Sequence, residues 1–312
     1  MNDHKARTGH RGRGEQPMVP DAEFSSYYGK PVLNAPVWHS PDIPGYLFLG
    51  GLAGASSLLG AGSHATGRPA LARVAKTGAF GAMSLSLAAL VHDLGRPSRF
   101  LNMLRVFKVT SPMSVGSWLL AGYGPLAGAA AFSAVAGKLP RIGAAATAGS
   151  ALLGPAVATY TGALISDTAV PAWHEGYREM PYVFAGSGAT AAGGLGLLAA
   201  PGRESAPARA LAVLGVALEG AAVSRMRQRL GMIAEPYRSG NGGRYLRAGE
   251  LLSAAGVAGA VLGRRNGMVR RLSGAALIAA SAATRWGIFH GGKDSANDPK
   301  YTVVPQRERL RE

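Results

Sequence analysis

LVHDLGRPSRFLNMLRVFKVTSPMSVGSW, residues 90–118, is a charged hinge set between two long apolar runs. His92, Asp93, Arg96, Arg99, Arg105 and Lys108 crowd the place where one membrane helix ends and the next begins. Asp93 falls in the last turn of an apolar segment, where the helix dipole is negative and disfavours another anion. An acidic residue set against the dipole is tied to a cation or kept for function. Arg96 and Arg99, three and six residues later, are its expected partners, and Gly95 followed by Pro97 supplies the helix stop.

Outward from this hinge the charge stays in short blocks. The mean hydropathy of the 312 residues is only +0.11, because 45 glycines and many alanines lower it without adding polarity. Between the blocks lie windows of roughly 18 to 25 residues with few or no charges, the length that crosses a bilayer as a helix. They run at about 43–63, 72–94, 113–136, 142–166, 181–200, 206–223, 246–263 and 270–290, with edges uncertain by a few residues. The expectation is an all-α integral membrane protein with eight transmembrane helices in two four-helix bundles, 43–166 and 181–290, joined by a loop at 167–180. Gly50, Gly51, Gly54 and Gly60 give the first span the small-residue surface by which helices associate in lipid. A soluble Ala-rich bundle leaves the uncharged windows unexplained.

The chain has no cysteine, which excludes disulfides, a covalently attached c-type haem and a cysteine-ligated iron-sulfur cluster within it. A net charge of +16 suits nucleic acid in a soluble protein. In a membrane protein the excess of Lys and Arg marks the cytoplasmic loops instead, so the expected environment is a lipid bilayer and no nucleic-acid partner is assigned. Residues 1–26 read as a disordered tail without the apolar core of a secretory signal. Residues 27–42 read as an interfacial segment, with Tyr27, Tyr28 and Trp38 at headgroup depth. Lys and Arg are about twice as abundant on the side shared by the N-terminal tail, the even-to-odd loops and the tail at 291–312, which places both termini in the cytoplasm of a plasma (inner) membrane protein.

Every even-numbered span then ends on the side of the N-terminus. Asp93, Asp167 and His290 share one face, joined by His39 ahead of span one and His174 in loop 4-5, whereas His64 at the opposite end reads as a surface histidine. Asp167, like Asp93, closes a helix against the dipole, and Tyr160 lies seven residues earlier on the same helical face. Pro171 and Trp173 shape the loop that follows. Spans five to eight carry fewer distinctive polar groups and read as a plainer bundle. Loop 6-7, residues 219–250, extends a helix past the membrane before turning at SGNGG.

The assembled pieces resemble the NrfD-like or polysulfide-reductase membrane subunits. The resemblance rests on PVW and IPGYLFLGGLAGAS within 36–57, DLGRPSRFLNMLRVFKVTSPMSVGSW at 93–118, YTGALISDTAVPAWHE at 160–175 and DPKYTVVPQR at 298–307, and it is closest to the short, eight-span actinobacterial forms. It implies a membrane subunit of a multi-protein oxidoreductase, without haem or metal of its own. Such a subunit docks a ferredoxin-like iron-sulfur protein linked to a molybdopterin catalytic subunit, and passes electrons to or from a quinone, menaquinone being expected, in the first bundle.

A quinone site needs an apolar slot, polar groups for the carbonyls and a titratable route to water. The near face offers the glycine-rich surface of span one, His39 and Tyr46 as hydrogen-bond partners, and His92, Asp93, Tyr160 and Asp167 for proton handling. Arg96, Arg99, Arg105 and Lys108, with Trp173 and His174, suit an acidic iron-sulfur partner, and a positive-inside loop accounts for the basic residues equally well. Two rival readings come from the same residues. A haem-binding cytochrome needs facing histidines, for which His92 and His290 are the only pair. An ion-translocating protein without redox role would use the carboxylates as a path, but these lie at helix ends.

Overall fold

The computed structural model describes residues 32–34, 36–96 and 98–309, which form helices joined by short turns, with no strand among the described residues. In chain order the helices are α1 (Asp42–Ala65), α2 (Pro69–Asp93), α3 (Arg99–Asn102), α4 (Pro112–Ala136), α5 (Pro140–Ser166), α6 (Pro171–Glu175), α7 (Met180–Ala199), α8 (Ala206–Leu230), α9 (Gly240–Leu262), α10 (Gly267–Asn297) and α11 (Lys300–Arg309). Proline at the first position starts α2, α4 and α5, where its fixed φ suits a helix and its missing N–H would have no partner. Asn266 caps α10 by accepting from the Met268 and Val269 amides at 2.9 and 3.2 Å.

Seven helices are long and apolar enough to cross a membrane: α1, α2, α4, α5, α7, α8 with the turn after it, and α10. The eight spans expected from the sequence are thus seven by this measure. The exception is α9, 23 residues long, whose first half carries Arg244, Arg247 and Glu250. These charges lower the hydropathy of a helix that is otherwise long enough, since about 20 residues at 1.5 Å each cover the hydrocarbon core. Toward the C-terminus the helices outrun the apolar windows. α8 continues to Leu230, so Glu219 lies inside a helix and not at the start of a loop, and α10 continues to Asn297 before α11 follows.

Packing centres on α1 and α7. α1 lies against α2, α5 and α7, while α7 lies against α8, α10, α1 and α5; α2 meets α4, α4 meets α5, and α9 runs along α10. Consecutive α8 and α9 touch only sparsely. Glycine sets the crossings at bare-backbone distance: a β-carbon on Gly154 would strike the Gly54 carbonyl of α1, and one on Gly188 of α7 would sit 2.8 Å from the Gly51 carbonyl. The same closeness joins Gly186 to Gly215 of α8 and Gly194 to Gly274 of α10. In lipid, where burying apolar surface gains little, such approach is the main source of helix association.

Hydrogen bonds fix these crossings. Tyr123 of α4 donates to the Ala53 carbonyl at 2.7 Å and lies 2.7 Å from the Ser57 hydroxyl, both on α1. Ser187 and Ser281 join α7 to α10 at 2.8 Å. Arg270 donates to the terminal carbonyls of Leu197 and Ala200, capping α7 from α10.

Candidate functional site

At the end of the molecule where α2 and α5 finish and α1 and α7 begin, four segments converge. The Asp93 carboxylate accepts from the backbone N–H of His39 at 3.4 Å and stands 3.4 Å from its Nδ1. One residue earlier, His92 Nδ1 is 2.9 Å from Asp42 at the start of α1. Two crossed His–Asp pairs therefore tie the segment before α1 to the end of α2. The expected pairing of Asp93 with Arg96 or Arg99 is not formed. Gly95 takes φ +69°, which ends the helix as expected and redirects the chain, and Arg99 donates instead to the Leu94 carbonyl at 3.2 Å. Pro97, Tyr27 and Tyr28 lie outside the described residues.

Deeper in the first half, the hydroxyls of Tyr46 on α1 and Tyr160 on α5 are hydrogen-bonded to each other. Ser86 of α2 donates to the Tyr46 carbonyl at 3.1 Å. Gly116 of α4 leaves the space that the Tyr160 ring occupies. Thr161, the next residue of α5, keeps a buried hydroxyl with no partner among the described residues.

The loop after α5 folds inward. Trp173 is completely buried, stacked 5.5 Å from Trp38 and donating its indole N–H to the Ile288 carbonyl at 2.8 Å. Expected at a docking surface, Trp173 is a core residue here, because a fused indole with one donor is best satisfied by a buried carbonyl. His174 beside it is exposed, its Nδ1 3.3 Å from the Ser166 carbonyl. Asp167 is exposed at the end of α5, and no hydrogen bond or ion pair among the described residues involves its carboxylate or joins it to Asp93. His290 stacks on Tyr245 of α9 at 5.5 Å, while His92 is paired with Asp42.

A cavity of about 410 Å³ opens between the segment before α1 and the loop after α5, lined by Leu33, Asn34, Val37, Trp38, Val170 and Trp173 among others. Trp38 and Thr168, the immediate neighbours of His39 and Asp167, belong to its wall. Its size falls in the range of small-molecule sites. Arg96, Arg99, Arg105 and Lys108 are all exposed, interleaved with exposed Leu101, Val106, Phe107 and Val109.

Glu179 ahead of α7 accepts both arms of Arg229, at 2.8 and 2.6 Å. These bonds hold its carboxyl below the usual range. The sequence reading missed this pair and also the buried Glu219, and it assigned no role to Arg285 within the eighth span. A signal was available in the sequence: Glu219 and Arg285 fall well inside apolar runs whose other charges, Arg209, Arg270 and Arg271, lie near the helix starts.

Seven apolar helices sharing one packed body define a multi-pass membrane protein. The chain belongs to the NrfD family: the family described as Polysulphide reductase, NrfD, matches residues 30–216, from ahead of α1 into α8. It is a family of membrane subunits of quinone-linked oxidoreductase complexes. No curated protein matches the chain.

Proposed function

We propose that this protein is the quinone-reactive membrane subunit of a multi-subunit oxidoreductase, passing electrons between an iron-sulfur partner, itself linked to a molybdopterin catalytic subunit, and membrane menaquinone. The observation that carries the reading is that the family match covers both the crossed His–Asp pairs and the Trp38–Trp173 cavity beside them. Eight spans in two four-helix groups, with both termini in the cytoplasm of the plasma membrane, complete it. Support for the grouping comes from the pairings α1–α2–α4–α5 and α7–α8, α7–α10, α9–α10.

The residues fit a quinone in three respects. The cavity has apolar, aromatic walls, Asn34 and Thr168 place polar groups in them, and a histidine and an aspartate flank the wall residues. A bound quinone supplies two-electron, two-proton redox chemistry. Trp38 and Trp173 shape the apolar slot and exclude water. Asp93 orients His39 by accepting its backbone N–H, and the pair can hold a proton between Nδ1 and the carboxylate oxygen. Asp167, exposed beside Thr168, connects the rim to water. Tyr46 and Tyr160 fix α1 to α5 beneath polar contact, and their hydroxyls can each donate to a carbonyl in place of the other. The exposed Arg96–Lys108 stretch presents cations to an acidic partner.

Gentle purification of the tagged protein from its native membrane tests this, with co-purifying proteins identified and quinone extracted. An iron-sulfur protein, a molybdopterin enzyme and a quinone are expected. Recovery of the chain alone, free of quinone under conditions that keep other complexes intact, favours an ion-translocating protein without redox role. In the assembled complex, Asp93→Asn and Asp167→Asn should each cut quinone-linked turnover by about a hundredfold or more, the scale of lost general acid-base catalysis, and leave turnover with a soluble acceptor intact. Full quinone activity in both variants refutes this placement of the site.

A further inference from the structure

We propose that Glu219 is a proton-exchange site within the membrane, reached through the crevice between α8 and α9 and separate from the near-face cavity. The crevice holds about 220 Å³ where these two helices pack sparsely. Val216 and Val223 of α8 and Leu246 of α9 wall it, and Glu219 and Thr284 lie at its inner end.

Glu219 stands in the middle of α8 and is 7 % exposed. Its Oε1 accepts from the Thr284 hydroxyl at 2.5 Å, while Oε2 has no partner among the described residues. The next residue of α10, Arg285, is fully buried. Its Nη2 donates to the Phe184 carbonyl at 2.8 Å and its guanidinium carbon lies 3.7 Å from the Phe184 ring centroid, but Nε and Nη1 are unpartnered among the described residues. No ion pair joins Glu219 to Arg285. An acid and a base thus sit side by side in the bilayer without the bridge that would cancel their charges. An unbridged carboxylate there is costly until something positive occupies its free oxygen.

The surroundings select a proton over a metal cation. The polar and charged groups around Glu219 are Glu250 and Ser253 from α9 and Thr284 and Arg285 from α10, while Gly186 of α7 packs against the Glu219 backbone. Hard cations take six or more oxygens, often with several carboxylates, and Arg285 already supplies the local positive charge. Glu250 marks the way in. It lines the same crevice, is half exposed, and bridges Arg227 toward the near-face end of α8 at 2.6 Å. A proton passing from water by way of Glu250 attaches to Oε2 and leaves by the same path. With Arg285 staying charged, the pocket alternates between zero and one positive charge. The second half of the chain thereby stores a proton away from the cavity assigned to quinone, and this holds whether or not a quinone binds there.

The test uses the purified full chain in lipid vesicles, treated with dicyclohexylcarbodiimide, an apolar reagent that modifies protonated carboxyl groups inside membranes, and mapped by peptide mass spectrometry. The expected result is an adduct on Glu219 that is lost in Glu219→Gln and slowed in Glu250→Gln. An unlabelled Glu219, labelling confined to Glu250, or protection by sodium ions overturns the proposal. Because the adduct is mapped on the unmodified sequence, the test stands even if a variant misfolds. Infrared spectroscopy of the same sample in light and heavy water gives the second reading: a carboxylic C=O band that shifts with deuterium and is absent from Glu219→Gln. A carboxylic band indifferent to deuterium means a sealed group, and the exchange site is then refuted.

Discussion

Glu179 shows how a single ion pair ties loop to helix in this protein. Both oxygens of a nearly buried carboxylate accept from one guanidinium, a fork geometry that is stronger than two separate bonds. The bonds hold the Glu179 carboxyl below its ordinary range, so its stabilisation is complete above the unfolded value of about 4.3 and is lost as pH falls below that, through the folded value. Glu179→Gln is expected to cost about 2 kcal/mol, reduced from the fully buried case by the exposure of Arg229. Thermal unfolding in detergent at neutral pH checks this, and the gap between the two proteins should close in acid. An equal gap at all pH values contradicts the assignment. At the same scale the sequence disclosed Asp93 and Tyr160 but not their partners. His39 lies 54 residues from Asp93 and Tyr46 lies 114 from Tyr160, distances no local pattern spans.

The helices themselves were almost fully legible. Seven apolar windows coincide with seven apolar helices, because a segment that must satisfy its backbone in lipid has one choice of structure. The exception, α9, and the extensions of α8 and α10 come from polar turns of helix that hydropathy does not register. The crossings depend on glycine. Gly154→Leu should place a side chain where the Gly54 carbonyl stands, force α1 and α5 apart and break the Tyr46–Tyr160 bond. A fall in thermal stability of several kcal/mol is expected, the scale of overpacking with backbone shifts. Gly62→Ala, a position with open space around it, serves as the neutral control in the same detergent assay. If the two variants are equally stable, close approach is not what holds α1 to α5. The second half is also less plain than its composition suggests, since α8 and α10 bring Glu219 beside Arg285.

Over the whole molecule, the number of crossings and the orientation can be read directly because the chain has no cysteine. Single cysteines at Arg105, seven residues ahead of α4, and Lys138, just past its end, both exposed, should react with an impermeant maleimide from opposite sides, Arg105→Cys from the cytoplasm. Arg238→Cys and Arg265→Cys flank α9 in the same way and should also label from opposite sides. Labelling of that pair from one side removes α9 from the spans, and reversal of the first pair inverts the protein.

By itself the sequence determined that the chain is helical, lies in a membrane and keeps most of its charge in short blocks between the apolar runs. Those properties follow from composition and period, since each span must hide its own backbone and a charge is costly inside the apolar layer. Only the tertiary structure decided which groups meet. His39 reaches Asp93, Trp173 turns into the core, Arg229 clasps Glu179, and Glu219 and Arg285 stand unbridged beside a crevice. Each of these depends on the rotation and crossing of helices packed through glycine, where a shift of one residue turns a side chain by about 100° and changes what it touches.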